Sequence, residues 1–320
     1  MVLPADDGGL GLDAVWADDL HHELRRLTAG DAEGYFRSYT GSIEDTVATL
    51  RKGWFYEGQV AEHSGERRGT PAEGLPPRAF VHCIQNHDQT GNRPMGDRLT
   101  ESVPLPVYRA LSTLLLASPY TPMLWMGQEW AASSPFQYFT DHPEELGKLV
   151  TQGRREEFKG FPAFSDPATR ERIPDPQAEE TFRRSKLQWE ETSREPHRGI
   201  LALYRELLRL RREESALRPA GRDGFDVAAA GERALVLRRW AGGELLLVVA
   251  NFGEALQLDL GARPETRAPA GGRWTTLLDS EDQRYGGEGP ARLTTDGAAL
   301  ELRTAGAVLL KASRPDTNGS

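Results

Sequence analysis

The stretch FVHCIQNHDQTGN, residues 80–92, passes from an apolar run into a cluster of polar side chains. The apolar part predicts a buried β-strand, and Asn86, His87 and Asp88 follow it directly, before a loop that contains Gly91. In a parallel α/β barrel, chemistry takes place at the C-terminal ends of the strands, where these three residues fall. Taken alone, the triplet favours a structural histidine beside a turn-forming aspartate. Its interpretation therefore depends on the surrounding sequence.

A second strand-like run follows in the order expected of a βα repeat. Residues 107–117 have the apolar pattern of a helix, and residues 122–126 then resemble a strand that ends before Glu129 and Trp130. Strand, helix and strand in this order predict an α/β fold. Other elements predicted from periodicity and composition are helices at 20–27, 40–51 and 197–213 and a polar, Gly- and Pro-rich loop at 57–77.

The pattern changes at about residue 216, where short apolar runs alternate with Gly-rich turns. The runs 234–240, 244–252 and 305–310 are typical of a small antiparallel β domain. We therefore expect three parts, which are an α/β part at 1–215, a β-sandwich-like domain at 216–313 and a disordered tail at 314–320.

Composition excludes several classes of partner. The 320 residues carry a formal net charge of −9, which argues against nucleic acid and anionic membranes as partners but is compatible with neutral sugars. No apolar stretch is long enough to span a membrane and residues 1–9 lack the features of a signal peptide, so we expect a cytoplasmic location. The single cysteine, Cys83, lies in the apolar run and is expected to be a buried core residue.

No cofactor or metal is expected from the motifs. His21 and His22 are adjacent rather than spaced for one helix face, and no His/Cys cluster has zinc spacing. No nucleotide or flavin motif appears. Asp18 and Asp19 follow a short strand-like run, where they either line a cleft or cap the next helix.

Six short motifs carry a resemblance to a known family. They are QNHDQ at 85–89, MGQEW at 126–130, FQYFTDH at 136–142, DAVWADDLHH at 13–22, GWFYEGQ at 53–59 and PDPQA at 174–178. With these motifs the chain resembles the α-amylase family of glycoside hydrolases over most of residues 10–215, and more loosely in the β domain. The resemblance implies a (β/α)8 (TIM) barrel followed by a small antiparallel β domain, in which the strands at 80–84 and 122–126 resemble the seventh and eighth.

The resemblance also implies an activity and roles for individual residues. The implied reaction is retaining hydrolysis of the α-1,4 bond next to the terminal trehalose unit of maltooligosyl trehalose, an α-glucan oligosaccharide. Asp88 matches the transition-state stabiliser, and His87 beside it would hydrogen-bond the same glucose ring. Further substrate contacts implied by the motifs are Asn86, Gln89, Asp19, Glu129, Trp130, Phe136 and Tyr138, the aromatic members as stacking platforms.

The sequence departs from the family at the catalytic pair. The family's nucleophile and general acid lie before the segment that corresponds to 13–22, and only about ten residues precede it here. We therefore expect the C-terminal part of an enzyme, poorly folded and inactive alone, with the N-terminal part as its partner. An alternative makes Asp13 the nucleophile with Glu44 or Glu57 as the acid, although Gly11 occupies the position of the family's arginine. Two other functions stay open, namely a different α-glucan hydrolase or branching-type transferase, and a non-catalytic carbohydrate-binding module.

Overall fold

The computed structural model describes residues 1–218 and 221–313, so the predicted disordered tail at 314–320 lies outside the described residues. The helices are α1 (Asp19–Ala29), α2 (Ile43–Lys52), α3 (His87–Gly91), α4 (Leu105–Ala117), α5 (Glu144–Glu157), α6 (Pro167–Arg170), α7 (Glu179–Arg184) and α8 (His197–Glu213). The strands before α8 are β1 (Val15–Trp16), β2 (Glu57–Val60), β3 (Arg67–Gly69), β4 (Phe80–His82) and β5 (Thr121–Pro122). Those after it are β6 (Phe225–Gly231), β7 (Ala234–Ala241), β8 (Glu244–Asn251), β9 (Leu256–Asp259), β10 (Trp274–Asp279), β11 (Arg292–Leu293), β12 (Ala299–Leu302) and β13 (Gly306–Ala312).

Three short parallel strands organise the first part of the chain. Their order is β1-β4-β5, with Trp16 opposite Val81 and Val81 opposite Thr121. Helices α1 and α2 lie between β1 and β4 in the chain, and α3 and α4 lie between β4 and β5. Because all three strands run in the same direction, their C-terminal ends meet at one edge of the sheet.

The predicted helices at 20–27, 40–51, 107–117 and 197–213 are confirmed, with bounds that differ by at most three residues. Helix α2 is capped at both ends by residues of its own sequence. The Ser42 side chain accepts a hydrogen bond from the Asp45 N–H, and Gly53 ends the helix with a left-handed φ of 113°. A Cβ at Gly53 would lie 2.9 Å from the Phe80 ring, so glycine is also needed for close packing on β4.

Three local predictions are corrected. The second strand is only Thr121–Pro122, because after Met123 bonds to His82 the chain turns away at Trp125. The segment at 57–77 contains the antiparallel pair β2–β3 rather than loop alone. The polar end of the opening stretch forms helix α3 rather than a loop, since the Asn86 side chain caps it.

Two antiparallel sheets form the last part of the chain. The larger has the order β10-β13-β8-β7-β6 and the smaller the order β11-β12-β9. Successive residues of β8 face opposite sides, so that Leu246 and Val248 pack in the core shared with the helices, whereas Leu247 and Val249 pack against the smaller sheet. Burial on both faces explains why β7 and β8 are almost continuously apolar.

Arginines that donate to backbone carbonyls join the two parts. Arg222, just before β6, donates to the carbonyls of Leu75 (2.7 Å), Arg51 (3.1 Å), Lys52 (2.7 Å) and Ala72 (2.9 Å). These bonds fix the end of α2 and the segment before β4 against the β domain. In the described residues, no helix is both long and apolar enough to cross a membrane.

His82 in β4 gives the folding stability a pH dependence. Its Nε2 lies 2.7 Å from the Gly53 carbonyl, its ring packs 4.1 Å from that of Tyr120, and burial lowers its pKa to about 4. Below pH 6.5 the unfolded chain binds a proton that folded His82 does not, so stability is lost as the pH falls from 6.5 towards 4. This one group should cost roughly 2 kcal/mol between pH 7 and pH 5.

Urea unfolding at pH 7 and pH 5 measures this loss in the chain and in His82→Gln, whose amide can still donate to the Gly53 carbonyl. The variant should lose less stability than the unmodified chain over this interval. Equal losses in the two proteins would mean that His82 is not the group responsible.

Candidate active site

Two tryptophan rings, one at the end of β1 and one beyond β5, contact the ring of His87, which follows β4. Trp16 is the last residue of β1, and its ring centroid lies 5.8 Å from that of His87. Trp125 lies beyond β5, and its ring centroid is 5.7 Å from that of His87. The Trp16 side chain is 56% exposed, so its ring faces solvent. The imidazole thus contacts two indoles at the C-terminal edge of the sheet, which is the position predicted for chemistry.

Asp88 projects from the first turn of α3 beside this histidine. Its carboxylate lies 3.3 Å from His87 Nε2, and the two side chains are 58% and 45% exposed. No hydrogen bond of the described residues uses the Asp88 carboxylate for the fold. An accessible carboxylate and imidazole flanked by indoles can bind a hydroxylated ring and stabilise positive charge that develops on it.

Asn86 and Gln89 have structural contacts that the sequence did not reveal. Asn86 is 4% exposed and its Oδ1 accepts from the Gln89 N–H at 2.8 Å, so it holds α3 in place. The Gln89 side chain accepts from the Tyr35 hydroxyl at 3.2 Å. Both residues therefore position the His87–Asp88 pair and join it to the segment after α1.

The aromatic surface continues along the 136–142 motif. The Phe136 ring lies 4.9 Å from that of Trp125 and 6.0 Å from that of Phe139. Tyr138 is 40% exposed, with the Arg154 guanidinium 5.1 Å over its ring. Of the predicted platforms, Tyr138 is exposed, whereas Phe136 is half-buried against Trp125 and Phe139, so stacking on sugar faces stays a prediction for both.

Asp19 is not an open substrate contact, which corrects the interpretation drawn from its motif. It is 4% exposed; its Oδ1 accepts from the Tyr39 hydroxyl at 2.6 Å and its Oδ2 from the N–H groups of Phe55 (2.8 Å) and Tyr56 (3.2 Å). Arg68 lies 3.2 Å away and also contacts Asp18 at 3.0 Å. Asp19 therefore anchors the chain after α2.

Trp130 also lies inside the protein rather than on a sugar-facing surface. It is 2% exposed and its ring packs 5.0 Å from that of Trp189, while its carbonyl contacts His197 Nδ1 at 3.0 Å. Burial of the ring leaves no face for a ligand, so Trp130 is a core residue. Glu129, in the same short 3₁₀ turn, is half-buried.

The alternative catalytic pair is not supported by the geometry. Asp13 precedes β1, whereas Asp88 follows β4, and because these strands pair in parallel the two carboxylates lie at opposite ends of the sheet. The pKa of Glu57 is lowered: partial burial opposes the shift, but hydrogen bonds from Lys52 and the Ala72 N–H outweigh it. A general acid needs the opposite shift. Glu44 is an exposed residue of the first turn of α2.

One cluster of potential metal ligands occurs in the described part of the chain. Asp18, Asp19 and His22 bring three ligand atoms within 4.8 Å of one another. Arg68 already supplies positive charge to both carboxylates, and burial lowers the pKa of His22. These residues therefore form an ion-pair network that stabilises the start of α1, and we assign no metal to it.

Three residues of this region were missed as site residues. Trp16 and Trp125 were interpreted only as parts of strands. Trp16 is exposed and Trp125 is half-buried, and a large aromatic at a strand end is itself an indication of a binding surface. Arg68 lies in the segment predicted to be loop and its partners Asp18 and Asp19 are 50 and 49 residues away in the chain. Nothing local in the sequence indicates that contact.

The chain is similar to known proteins in both sequence and fold. Residues 222–300 match a family described as a domain of unknown function, DUF3459. The chain is 48% identical over 247 residues to the malto-oligosyltrehalose trehalohydrolase of Deinococcus radiodurans, covering 76% of this chain and 40% of the relative. It is 38% identical over 317 residues to that of Rhizobium sp. (strain M-11), covering 97% of this chain and 48% of the relative. A crystal structure of a candidate alpha amylase from Salmonella typhimurium matches with a TM-score of 0.76 and 30% identity, over 94% of this chain and 47% of the other.

The parallel-strand site, the β domain and these matches together define the class. The chain belongs to the α-amylase family of glycoside hydrolases. Within that family, its two relatives named above are malto-oligosyltrehalose trehalohydrolases. The chain spans a little under half the length of these relatives.

Proposed function

We propose that the chain contributes one side of the active site of an α-glucan hydrolase that releases trehalose from maltooligosyl trehalose. In this proposal residues 1–215 form the C-terminal part of a (β/α)8 barrel, with β1, β4 and β5 as its sixth, seventh and eighth strands. Residues 216–313 form the β-sandwich-like domain. The names and sequence identities of the relatives support the substrate, and the parallel order β1-β4-β5 supports the barrel.

The single observation that carries the proposal is the exposed His87–Asp88 pair, with the Trp16 and Trp125 rings in contact with His87. Glycoside cleavage passes through an oxocarbenium-like state, in which positive charge develops on the sugar ring. A fixed anion at Asp88 lowers the energy of that state, and the flanking indoles offer apolar faces to the sugar. His87 is placed to hydrogen-bond a hydroxyl of the same ring.

A retaining hydrolase also needs a carboxylate nucleophile and a carboxylic acid about 5–5.5 Å apart. We assign neither role to Asp13, Glu44 or Glu57. The proposal instead takes both groups from a companion segment, the N-terminal part of the same enzyme, packed beside β1. The chain alone would then bind oligosaccharide without cleaving it.

The test is trehalose release from maltooligosyl trehalose by the purified chain, alone and mixed with the portion of the Deinococcus relative that this chain does not match. We expect release only from the mixture. Release by the chain alone would overturn the division of the site between two segments.

Cleavage of the α-glucan without trehalose as a product would favour a different α-glucan hydrolase, and glucan transfer would favour a branching-type transferase. Binding without cleavage in every mixture would favour a non-catalytic carbohydrate-binding module.

A further inference from the structure

A cavity of about 600 Å³ lies immediately beyond α3, the helix whose first residues are His87 and Asp88. Asn92 and Arg93, which follow the last residue of α3, form part of its wall. Tyr35 forms another part and donates its hydroxyl hydrogen to Gln89, one residue after Asp88. The volume falls within the range of small-molecule sites, roughly 300–1,000 Å³.

Aromatic rings line two sides of this cavity. Tyr35 and Phe36 lie on one side with ring centroids 4.7 Å apart. Phe158 lies on the other side, with Phe161 at 5.4 Å and Phe164 at 6.1 Å from it. Phe36 and Phe158 are buried, so the rings open to the C–H face of a sugar are those of Tyr35, which is 40% exposed, and of the half-buried Phe161 and Phe164.

The charged groups of the cavity are largely compensated. The Asp31 carboxylate contacts Arg25 at 2.5 Å and Arg93 at 3.2 Å, and Glu157 contacts Arg154 at 3.0 Å. The lining therefore offers carboxylate acceptors and arginine donors without demanding a charged ligand. A phosphorylated ligand would meet carboxylates on the rim, whereas a neutral polyhydroxylated ligand would meet donors and acceptors together.

One donor of the cavity wall lacks a hydrogen-bond partner within the described ranges. Arg93 Nε has no acceptor at hydrogen-bond distance, and the nearest paired carboxylate, that of Asp97, is 3.8 Å away. This nitrogen is enclosed by the protein, so a ligand in the cavity would meet the charge of the Arg93 guanidinium, whose side chain is 26% exposed, rather than the Nε donor itself.

We propose that this cavity, the Tyr35–Phe161 pocket, is a distal α-glucan binding site that receives the glucose units beyond those held at His87 and Asp88. The inference rests on the proposed function for the glucan as ligand, and it assigns the preference for longer oligosaccharides to this pocket. The hydrogen bond from the Tyr35 hydroxyl to Gln89 links this pocket to α3, the helix that carries His87 and Asp88.

Calorimetric titration of maltoheptaose into the 320-residue chain tests the pocket. Ala32→Trp places a large ring on an exposed lining position and should weaken binding about tenfold, equivalent to ~1.4 kcal/mol. Phe161→Ala removes one wall and should weaken binding in the same direction. The matched control is Ala262→Trp, the same substitution at an exposed position of the β domain, and its affinity should stay within about twofold of the unmodified chain.

His87→Ala, measured in parallel, separates this inference from the proposed function. Weaker binding in His87→Ala with unchanged binding in Ala32→Trp and Phe161→Ala overturns the pocket and leaves the proposed active site standing. Weaker binding in the two pocket variants alone supports the pocket and removes the role of His87. Binding of spermine in place of maltoheptaose, or binding of neither, overturns the pocket as a sugar site.

Discussion

Replacement of Asp88 by asparagine is expected to lower the turnover number of the assembled hydrolase by about 10³-fold while maltooligosaccharide affinity changes little. Asparagine has the same shape as aspartate but carries no charge, so it can hydrogen-bond the sugar in the ground state and cannot stabilise the cationic transition state. The measurement is the rate of trehalose release by the complemented chain, together with calorimetric affinity for maltoheptaose.

The fold should tolerate this substitution. Among the described contacts, the Asp88 carboxylate meets only His87, at 3.3 Å, and the helix is held by the Asp88 carbonyl, which accepts from the Asn92 N–H at 2.9 Å. Asp223→Asn, an exposed aspartate of the β-domain side, is the matched control and should keep full turnover. If Asp88→Asn retains turnover within about tenfold of the unmodified enzyme, Asp88 is not the stabiliser.

The helical part of the fold was readable from sequence because it depends on a local pattern. Helix α8 spans the predicted residues 197–213, since Ile200, Leu203 and Leu207 recur at helical spacing and all three are buried. The β domain was readable for a similar reason, namely apolar runs between glycine turns. Strands of two or three residues, such as β3 and β5, are too short to establish a period.

Part of the site could be predicted from sequence. The residues that could be predicted are those whose position depends on their neighbours in the chain, and the others depend on distant contacts. His87 and Asp88 follow an apolar strand directly, so their position at its end could be predicted. Whether Trp130 lies at the surface depends instead on Trp189, 59 residues further along the chain. The hydrogen bonds that bury the Asp19 carboxylate likewise come from residues beyond α2. Motif resemblance identified these residues but could not distinguish a ligand contact from a bracing residue.

A buried ion pair joins α4 to the β domain. Arg109 donates from Nε to Glu281 Oε1 at 2.9 Å and from Nη2 to Oε2 at 2.5 Å, and the two side chains are 2% and 5% exposed. Ser280 adds a hydrogen bond to the same carboxylate at 3.1 Å. Both guanidinium donors are therefore directed at one acceptor group, in surroundings that water does not reach.

Glu281→Ala should lower the free energy of unfolding by about 3–5 kcal/mol, because it leaves the Arg109 guanidinium buried without its counter-charge. Urea unfolding at constant pH measures this loss. Glu179→Ala is the matched control: Glu179 pairs with both Nε and Nη2 of Arg183 at the surface, so its loss should cost less than about 1 kcal/mol. The double variant Arg109→Met/Glu281→Leu should recover most of the stability, since no charge is then left buried. Equal losses for Glu281→Ala and Glu179→Ala would mean that the pair does not hold the two parts together.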